Sequence, residues 1–155
     1  MSNVTEIRPA VTEDIDTILQ FEQGVVAAER PLNDKLKTGT VHYYDVAALV
    51  ASDSSQVLVA VEAGRLVGTG HASIKESLDY LTHDKHAYLG LMYVDPEFRG
   101  RGIIQSIIAD LMGWARTKGI ADFYLDVYAG NQSAVKAYEK FGFEANLIEM
   151  KMHDQ

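Results

Sequence analysis

The stretch Tyr93-Val94-Asp95-Pro96-Glu97-Phe98-Arg99-Gly100-Arg101-Gly102-Ile103-Ile104 joins an apolar run to an amphipathic one. The apolar run ends at Val94, and Asp95-Pro96 is a turn dipeptide through which a β-ladder does not simply continue. Two arginines then alternate with two glycines, which permit a left-handed backbone and the close approach of a ligand. The sequence therefore predicts a strand, a glycine-rich loop and the start of a helix, in that order.

A helix that opens from such a loop is a predicted phosphate site. Its first N–H groups have no partner inside the helix, and the helix dipole adds partial positive charge at the same end. Arg99 and Arg101 add charge that suits a pyrophosphate. The loop lacks the Gly-Lys-Ser/Thr ending of a P-loop and is not G-x-G-x-x-G, which disfavours nucleotide hydrolysis and dinucleotide binding. The alternative is a plain strand–turn–helix connection with solvated arginines.

A second segment, Asn131 to Phe143, follows a predicted strand and opens a short helix. It matches Asn-x-x-Ala-x-x-x-Tyr-x-x-x-Gly-Phe at every named position, and the earlier loop matches Arg-x-x-Gly at Arg99 to Gly102. With both segments in this order and at this spacing, the chain resembles the GNAT acyltransferase superfamily. The resemblance covers residues 87–152 well and the first half only by pattern. One departure is Ile104, where the family has Gly or Ala; we expect its side chain beside the pyrophosphate arm.

Composition limits the classes of function that fit the chain. At 155 residues we expect one domain, spanning 1–155, with a core that needs no disulfides. The absence of cysteine excludes disulfides, thiol catalysis and a cysteine-linked acyl-enzyme. A formal net charge of −8 argues against nucleic-acid and anionic-membrane binding; it is compatible with a cationic acceptor such as an amine, and equally with ordinary solubility. Without a signal-type N-terminus or a long apolar run, we expect a cytoplasmic protein.

Hydrophobic periodicity predicts a mixed α/β domain in the order β-α-α-β-β-β-α-β-α-β. This is also the order that the GNAT resemblance implies, with a mixed central sheet splayed between strands four and five and flanked by helices. The predicted elements are a strand over 6–10, a helix N-capped by Thr12 with a kink or stop at Gly24, a shorter helix over 43–51, a hairpin of strands 56–61 and 65–74, a fourth strand over 87–94, a helix from Ile103 to Gly119, a fifth strand over 123–127, a last helix closed by Gly142, and a final strand over 143–152.

The resemblance implies where acyl-coenzyme A (acyl-CoA) binds. The pantetheine arm would pair with the backbone of Leu91, Met92, Tyr93 and Val94, in the wedge between strands four and five. The diphosphate would bind the loop Arg99, Gly100, Arg101, Gly102, Ile103 and Ile104. Asn131 would hold the pantetheine, with Ser133 nearby, and Tyr138 would also contact the cofactor.

The chemistry of acyl transfer to an amine assigns further roles. Tyr138 matches the family's general acid, and a phenol can share or donate a proton to the leaving thiolate. The alternative is that Tyr138 is a half-buried aromatic side chain whose only role is to pack its helix. Asp126 is a candidate general base, since some members place a carboxylate there, and His71 is another through a water. Glu29, Tyr43 and Tyr44 lie in the segment that forms the acceptor wall in this family, and His71 beside alternate glycines could also contact the acceptor. No histidines show metal-ligand spacing, so we expect no metal.

The main hypothesis from the sequence is therefore an acyl-CoA-dependent N-acyltransferase. It would use acetyl-CoA and transfer the acetyl group directly to a primary amine, carried by a small molecule or a peptide. The alternative is a catalytically silent CoA or acyl-CoA sensor or interaction module of the same fold. A nucleotide-binding domain is disfavoured by the motif departures, and a homodimer is compatible with the family.

Overall fold

The structure is a computed structural model that describes residues 4–155. Its strands are β1 (Glu6–Pro9), β2 (Ser55–Glu62), β3 (Arg65–Glu76), β4 (Lys85–Val94) and β5 (Phe123–Leu125). Its helices are α1 (Ile15–Glu29), α2 (Val46–Ala51), α3 (Ile103–Thr117) and α4 (Gln132–Phe141), with 3₁₀ turns at 12–14, 30–32 and 96–98. No helix within 4–155 has the length and apolarity that a membrane crossing requires.

The five strands form one mixed sheet in the order β1-β2-β3-β4-β5. The first four pair antiparallel, whereas β4 and β5 pair parallel. The β2–β3 hairpin turns on Ala63 and Gly64, both with positive φ, as a two-residue primed turn requires. The α/β class, the mixed sheet and the predicted hairpin are confirmed.

Helices cover both faces of the sheet, so that there are two cores. On one face α3 buries Ile107, Ile108 and Leu111 against Val67 and Leu89. On the other face α1 and α2 enclose a smaller cluster around Ile18, Val46, Val59 and Leu91. The wide apolar stripe of α3 predicted its burial correctly, and Gly119 follows its end with φ +81°.

Three details of the first half differ from the sequence prediction. Helix α1 runs through Gly24 without ending, because the missing side chain makes room for the ring of Tyr93: a Cβ there would lie 2.6 Å from Tyr93 Cε2. Thr12 lies inside a 3₁₀ turn whose preceding residue is Val11, and the Asp14 carboxylate accepts from the Val11 N–H. Helix α2 begins at Val46 rather than at residue 43, because the Asp45 side chain caps it by accepting from Ala48 N–H.

The predicted final strand over 143–152 was wrong for this structure. Residues 143–155 form no helix or strand, and every side chain from Glu144 onward is exposed. The fifth strand is also shorter than predicted and ends at Leu125, not at 127. The apolar content that suggested a strand is present, but no neighbouring strand pairs with it.

Candidate active site

The loop before α3 has the backbone geometry of an anion site. Gly100 and Gly102 both have a left-handed backbone, at φ +80° and +79°, and neither would clash with an added Cβ. Glycine is therefore needed here for conformation and not for space. Gly102 is the N-cap of α3 and offers no side-chain cap, and the first helical bond runs from Ser106 N–H to its carbonyl. The N–H groups of the first turn are consequently free to bind an anion.

The two arginines of this loop are held by the protein. Arg99 Nε donates to Val94 O at 2.9 Å, and its guanidinium lies 5.5 Å from the centre of the Tyr93 ring. Arg101 Nη1 lies 3.3 Å from both carboxylate oxygens of the buried Glu62 and packs over Phe98. Part of the positive charge of Arg101 is therefore offset within the chain.

Ile104, where the family has Gly or Ala, follows Ile103 in the first turn of α3. Its side chain is half-buried and packs against the main core beneath α3. Ile103 is buried in the same core. Both residues thus present their backbone N–H groups at the helix start while their side chains point inward.

Strands β4 and β5 separate immediately after a short parallel ladder. The last pair is Leu89 with Leu125, so that Gly90 to Val94 have no strand partner on the side of β5. Leu91 has φ +54°, which is unusual for a residue with a side chain, and the register with β3 shifts at the same level. This bulge in β4 turns the strand away from β5, and it places Leu91, Met92, Tyr93 and Val94 along the opening.

Helix α4 follows β5 in the chain and begins at Gln132. The Asn131 side chain caps it by accepting from Ala134 N–H at 3.3 Å, and Ser133 Oγ donates to the same oxygen. Tyr138, two turns along, is half-buried and packs edge-on against Phe143. Burial, followed by the nearby Glu29 and Tyr44, raises the pKa of the Tyr138 phenol, so that it is protonated at neutral pH.

A cavity of about 370 Å³ lies on the opposite face of β3 and β4 from α3. It is lined mostly by polar side chains from the α1–α2 connection, β3 and β4. The lining residues are Tyr43, Tyr44, Leu49, His71, Ser73, Lys75, His86 and Tyr88. The cavity thus brings together three of the residues predicted to contact the acceptor, namely Tyr43, Tyr44 and His71.

His71 is the buried polar centre of this cavity. Its side chain is 1% exposed, and its Nδ1 has no hydrogen-bond partner among residues 4–155. Burial lowers the pKa of the imidazole to about 4, so that it is neutral at physiological pH. The Tyr44 ring packs against it at 4.6 Å between centres, and Gly90 allows both rings to approach β4.

Asp126 does not line the cavity and is connected to it only through Tyr88. It is exposed just after β5, and its Oδ2 accepts a hydrogen bond from the Tyr88 hydroxyl at 3.1 Å. Burial, then the neighbouring Tyr44 and Asp126, raises the pKa of Tyr88. A cavity phenol thus connects the predicted base to the site.

Glu29 lies beside the cavity but does not line it. The Tyr43 hydroxyl is buried and has no hydrogen-bond partner within residues 4–155, and burial followed by the nearby Glu29 raises the pKa of this phenol. Because Glu29 also raises the pKa of Tyr138, one carboxylate at the end of α1 acts on a phenol of the α1–α2 connection and on a phenol of α4.

The segment that carries Tyr43 and Tyr44 is fixed to α1 by a carboxylate. Glu22 is fully buried; its Oε2 accepts from the N–H groups of Tyr43 and Tyr44 at 2.9 and 3.1 Å. Its Oε1 lies 2.7 Å from His42 Nδ1. Glu22 therefore positions one wall of the cavity.

The sequence analysis missed Glu22, Ser73, Lys75, His86 and Tyr88. The four strand residues could have been found from alternation, since 71, 73 and 75 share a face of β3, as do 86, 88 and 90 on β4. For Glu22 the only signal was a charged residue at a core position of a helical pattern. In the part of the chain that the structure describes, no group of three or more His, Asp or Glu residues could hold a metal ion.

Comparison with known proteins establishes the family. The model of the acetyltransferase (GNAT) family matches residues 24–143, which include the loop, the opening, the cavity and α4. The chain therefore belongs to the GNAT family and is an enzyme of the acetyltransferase class.

Individual relatives agree with this assignment. An acetyltransferase of Photorhabdus laumondii is 32% identical over 80% of each chain. The aminoglycoside N(6')-acetyltransferase type 1 of Salmonella typhimurium is 27% identical over 66% of this chain and 72% of its own length. Among solved structures, a mutant protein from Bacillus halodurans has a TM-score of 0.83 at 21% identity, covering 97% of this chain and 99% of its own. An aminoglycoside N-acetyltransferase in complex with CoA has a TM-score of 0.74 at 22% identity, with 100% and 97% covered.

Proposed function

We propose that this enzyme transfers the acetyl group of acetyl-CoA directly to a primary amine. The proposal rests on Gly90 of β4, where the opening between the strands and the cavity come together. The opening between β4 and β5 begins there, and the cavity residues Tyr44 and His71 touch the same point from the other face. Two substrates that entered from these two sides would meet at β4.

The residues at the opening suit acetyl-CoA. The uncapped N-terminus of α3 would bind the diphosphate, with Arg99 and Arg101 at the rim. The backbone of Leu91 to Val94, which lacks a strand partner on the side of β5, would hydrogen-bond the pantetheine arm. Asn131 and Ser133 would contact the arm from α4. A neighbour of the same fold was crystallised with CoA, which supports this assignment.

The transfer itself requires an attacking amine, an oxyanion site and an acid. The amine nitrogen attacks the thioester carbon, so that a C–N bond forms and the C–S bond breaks. N–H groups of β4 near Tyr93 and Val94 would stabilise the oxyanion. Tyr138 would give its proton to the departing sulfur, and a base would take the proton that the nitrogen loses.

Two groups compete for the role of base. His71 is neutral and has an unpartnered nitrogen in the cavity, so it can accept a proton directly. Asp126 can do so through the Tyr88 hydroxyl. Separate His71→Asn and Asp126→Asn variants distinguish them, because the variant of the true base should lose kcat at saturating acetyl-CoA.

The acceptor is proposed to be a small-molecule or peptide amine. Glu29 beside Tyr43 supports a cationic group, since a carboxylate and phenol faces both attract ammonium. Relatives named as aminoglycoside acetyltransferases make amino sugars the first compounds to test. A cytoplasmic location, and the absence of nucleic-acid and membrane partners, remain proposals from composition.

The test is thiol release from acetyl-CoA with a panel of amino sugars, polyamines, amino acids and peptides. We expect acceptor-dependent release, and Tyr138→Phe should lower kcat by about 10²–10⁴ while the Kd for acetyl-CoA changes far less. Tyr124→Phe is the matched control, because its hydroxyl bonds His83 outside the cavity lining. Tight binding without turnover across the panel, and no effect of Tyr138→Phe, would favour the silent acyl-CoA-binding module instead. Absence of acetyl-CoA binding would contradict both.

A further inference from the structure

The two ends of the cavity differ in charge. Three facing pairs of residues share one side of β3 and β4: His71 with Gly90, Ser73 with Tyr88, and Lys75 with His86. Successive pairs are about 7 Å apart, so the last pair lies about 14 Å along the sheet from Gly90. Among the described residues that line the cavity, only Lys75 has a permanent charge. The cation and the proposed reaction centre are therefore at opposite ends.

The ammonium group of Lys75 forms no ion pair with a carboxylate in the described part of the chain. The next residue, Glu76, lies on the other side of β3, 3.7 Å from Lys85 Nζ. Burial lowers the pKa of His86; the charge of Lys75 adds to this, and Asp122 opposes it without lining the cavity. A cleft that one sign of charge dominates concentrates ligands of the opposite sign.

His86 can donate a hydrogen bond beside the lysine. Its Nδ1 lies 2.9 Å from the Ser77 hydroxyl, which also lies 2.6 Å from His83 Nδ1. His83 Nε2 lies 2.8 Å from the Tyr124 hydroxyl. These bonds can all run toward His86, with each hydroxyl or N–H group donating to the next ring or hydroxyl. The neutral His86 ring then has its proton on Nε2, which becomes a donor for an anion that Lys75 attracts.

The carboxylates that act on the reaction end of the cavity suit a cation instead. Burial raises the pKa of Tyr44, and the charges of Glu29 and Asp126 raise it further. Tyr44 packs at Gly90, where the opening begins. An acceptor with an ammonium group at one end and a negative group at the other matches this separation of charge.

We propose that the acceptor carries a carboxylate far from its amine, and that Lys75 and His86 bind this carboxylate. One point charge and one neutral donor suit a single negative charge better than the double charge of a phosphate. The substrate class is thus long ω-amino acids and short peptides, in which several bonds separate the amine from the carboxylate. This inference rests on the proposed transfer to an amine and narrows its acceptor.

Matched pairs of acceptors measure what the carboxylate contributes. ε-Aminocaproate and hexylamine share the reacting amine, whereas β-alanine and propylamine form a pair too short to reach Lys75 from Gly90. We expect kcat/KM for ε-aminocaproate to exceed that for hexylamine by about 10–100-fold, as for a hydrogen bond to a charged group, with no comparable preference in the short pair. An equal preference in both pairs, or none in the long pair, overturns the proposal.

Substitution of the lysine tests its role directly. Lys75→Met removes the charge and keeps an unbranched side chain, so the preference for ε-aminocaproate over hexylamine should disappear. Lys75→Arg keeps the charge and should restore most of the preference. Lys85→Met is the matched control, since it removes a lysine from the other side of the sheet, and its preference should equal that of the native enzyme. A preference that survives Lys75→Met, or that Lys85→Met lowers equally, contradicts the assignment.

Binding of the reaction product separates this inference from the proposed function. Calorimetry compares N-acetyl-ε-aminocaproate with N-hexylacetamide, and neither ligand needs turnover. Tighter binding of the carboxylate, lost in Lys75→Met, supports the subsite even if no amine is acetylated, in which case the proposed transfer is wrong. Acetylation of amines without any preference for the carboxylate leaves the transfer intact and overturns the subsite. Neither binding preference nor turnover would contradict both.

Discussion

Glu22 provides a test of how the cavity wall is held in place. The fully buried carboxylate supports three groups of the α1–α2 connection: two backbone N–H groups at 2.9 and 3.1 Å and the His42 ring at 2.7 Å. Glu22→Ala leaves the Tyr43 and Tyr44 N–H groups unpaired in a partly buried position. Each such group costs about 1–3 kcal/mol, so we expect the free energy of unfolding to fall by about 3 kcal/mol.

The conservative variant should behave differently. In Glu22→Gln the amide oxygen can still accept from both N–H groups, while the amide nitrogen can donate to His42 Nδ1. We therefore expect a loss of only about 1 kcal/mol, the difference between a charge-assisted and a neutral hydrogen bond. Gln23→Ala, which removes one bond from Gln23 Nε2 to Val41 O, is a control of similar size.

Urea unfolding followed by circular dichroism measures these differences. In a chain of this length, 3 kcal/mol also corresponds to a fall in Tm of roughly 6–12 °C. The alanine variant should additionally raise KM for the acceptor, since Tyr43 and Tyr44 line the cavity. If Glu22→Ala costs no more than Gln23→Ala, then the carboxylate does not hold the wall and the reasoning is refuted.

Three further predictions test other features. Because burial lowers the pKa of His71 to about 4, the unfolded chain binds more protons than the folded chain between pH 4 and 6.5. The free energy of unfolding should therefore rise by about 3 kcal/mol from pH 4 to pH 6.5 and remain level above that pH. In His71→Asn most of this pH dependence should be lost. His86, whose pKa is also lowered by burial, supplies the remainder, and a full slope in His71→Asn would disprove the assignment. Gly90→Ala should abolish turnover, since its Cβ would lie 2.9 Å from His71 Cε1 and 3.1 Å from Tyr44 Cζ; wild-type kcat/KM would show that the two rings can move aside. Gly24→Ala should destabilise by about 1–3 kcal/mol against the Tyr93 ring, whereas Gly113→Ala, in open space on α3, should stabilise by about 0.5–1 kcal/mol; urea midpoints decide, and equal signs would contradict the packing argument.

The parts of the fold that local chemistry decides were predictable. Gly100 and Gly102 before an amphipathic stretch determine a loop and a helix start within a few residues, and both have the left-handed backbone that this requires. The turn residues Glu62-Ala63-Gly64 between two strand-like runs predicted the β2–β3 hairpin for the same reason. These signals need no knowledge of distant contacts.

The features that were missed depend on tertiary contacts. Gly24 reads as a helix breaker by propensity, yet the ring of Tyr93 makes glycine necessary inside α1. The cavity joins residues from three separate segments, so Tyr88 and Ser73 become site residues only when β3 and β4 pair. Residues 143–152 have the composition of a strand, but a strand exists only where an edge receives it.

The left-handed backbone of Leu91 has a consequence for the rate of substrate binding. This conformation costs about 1–2 kcal/mol for a residue with a side chain, and here it persists because that side chain is 97% removed from solvent in the smaller core. The gap between β4 and β5 is therefore already present in the folded protein before any thioester binds. Little conformational entropy remains to be lost on association, so the on-rate should be limited by diffusion and orientation rather than by opening of the sheet.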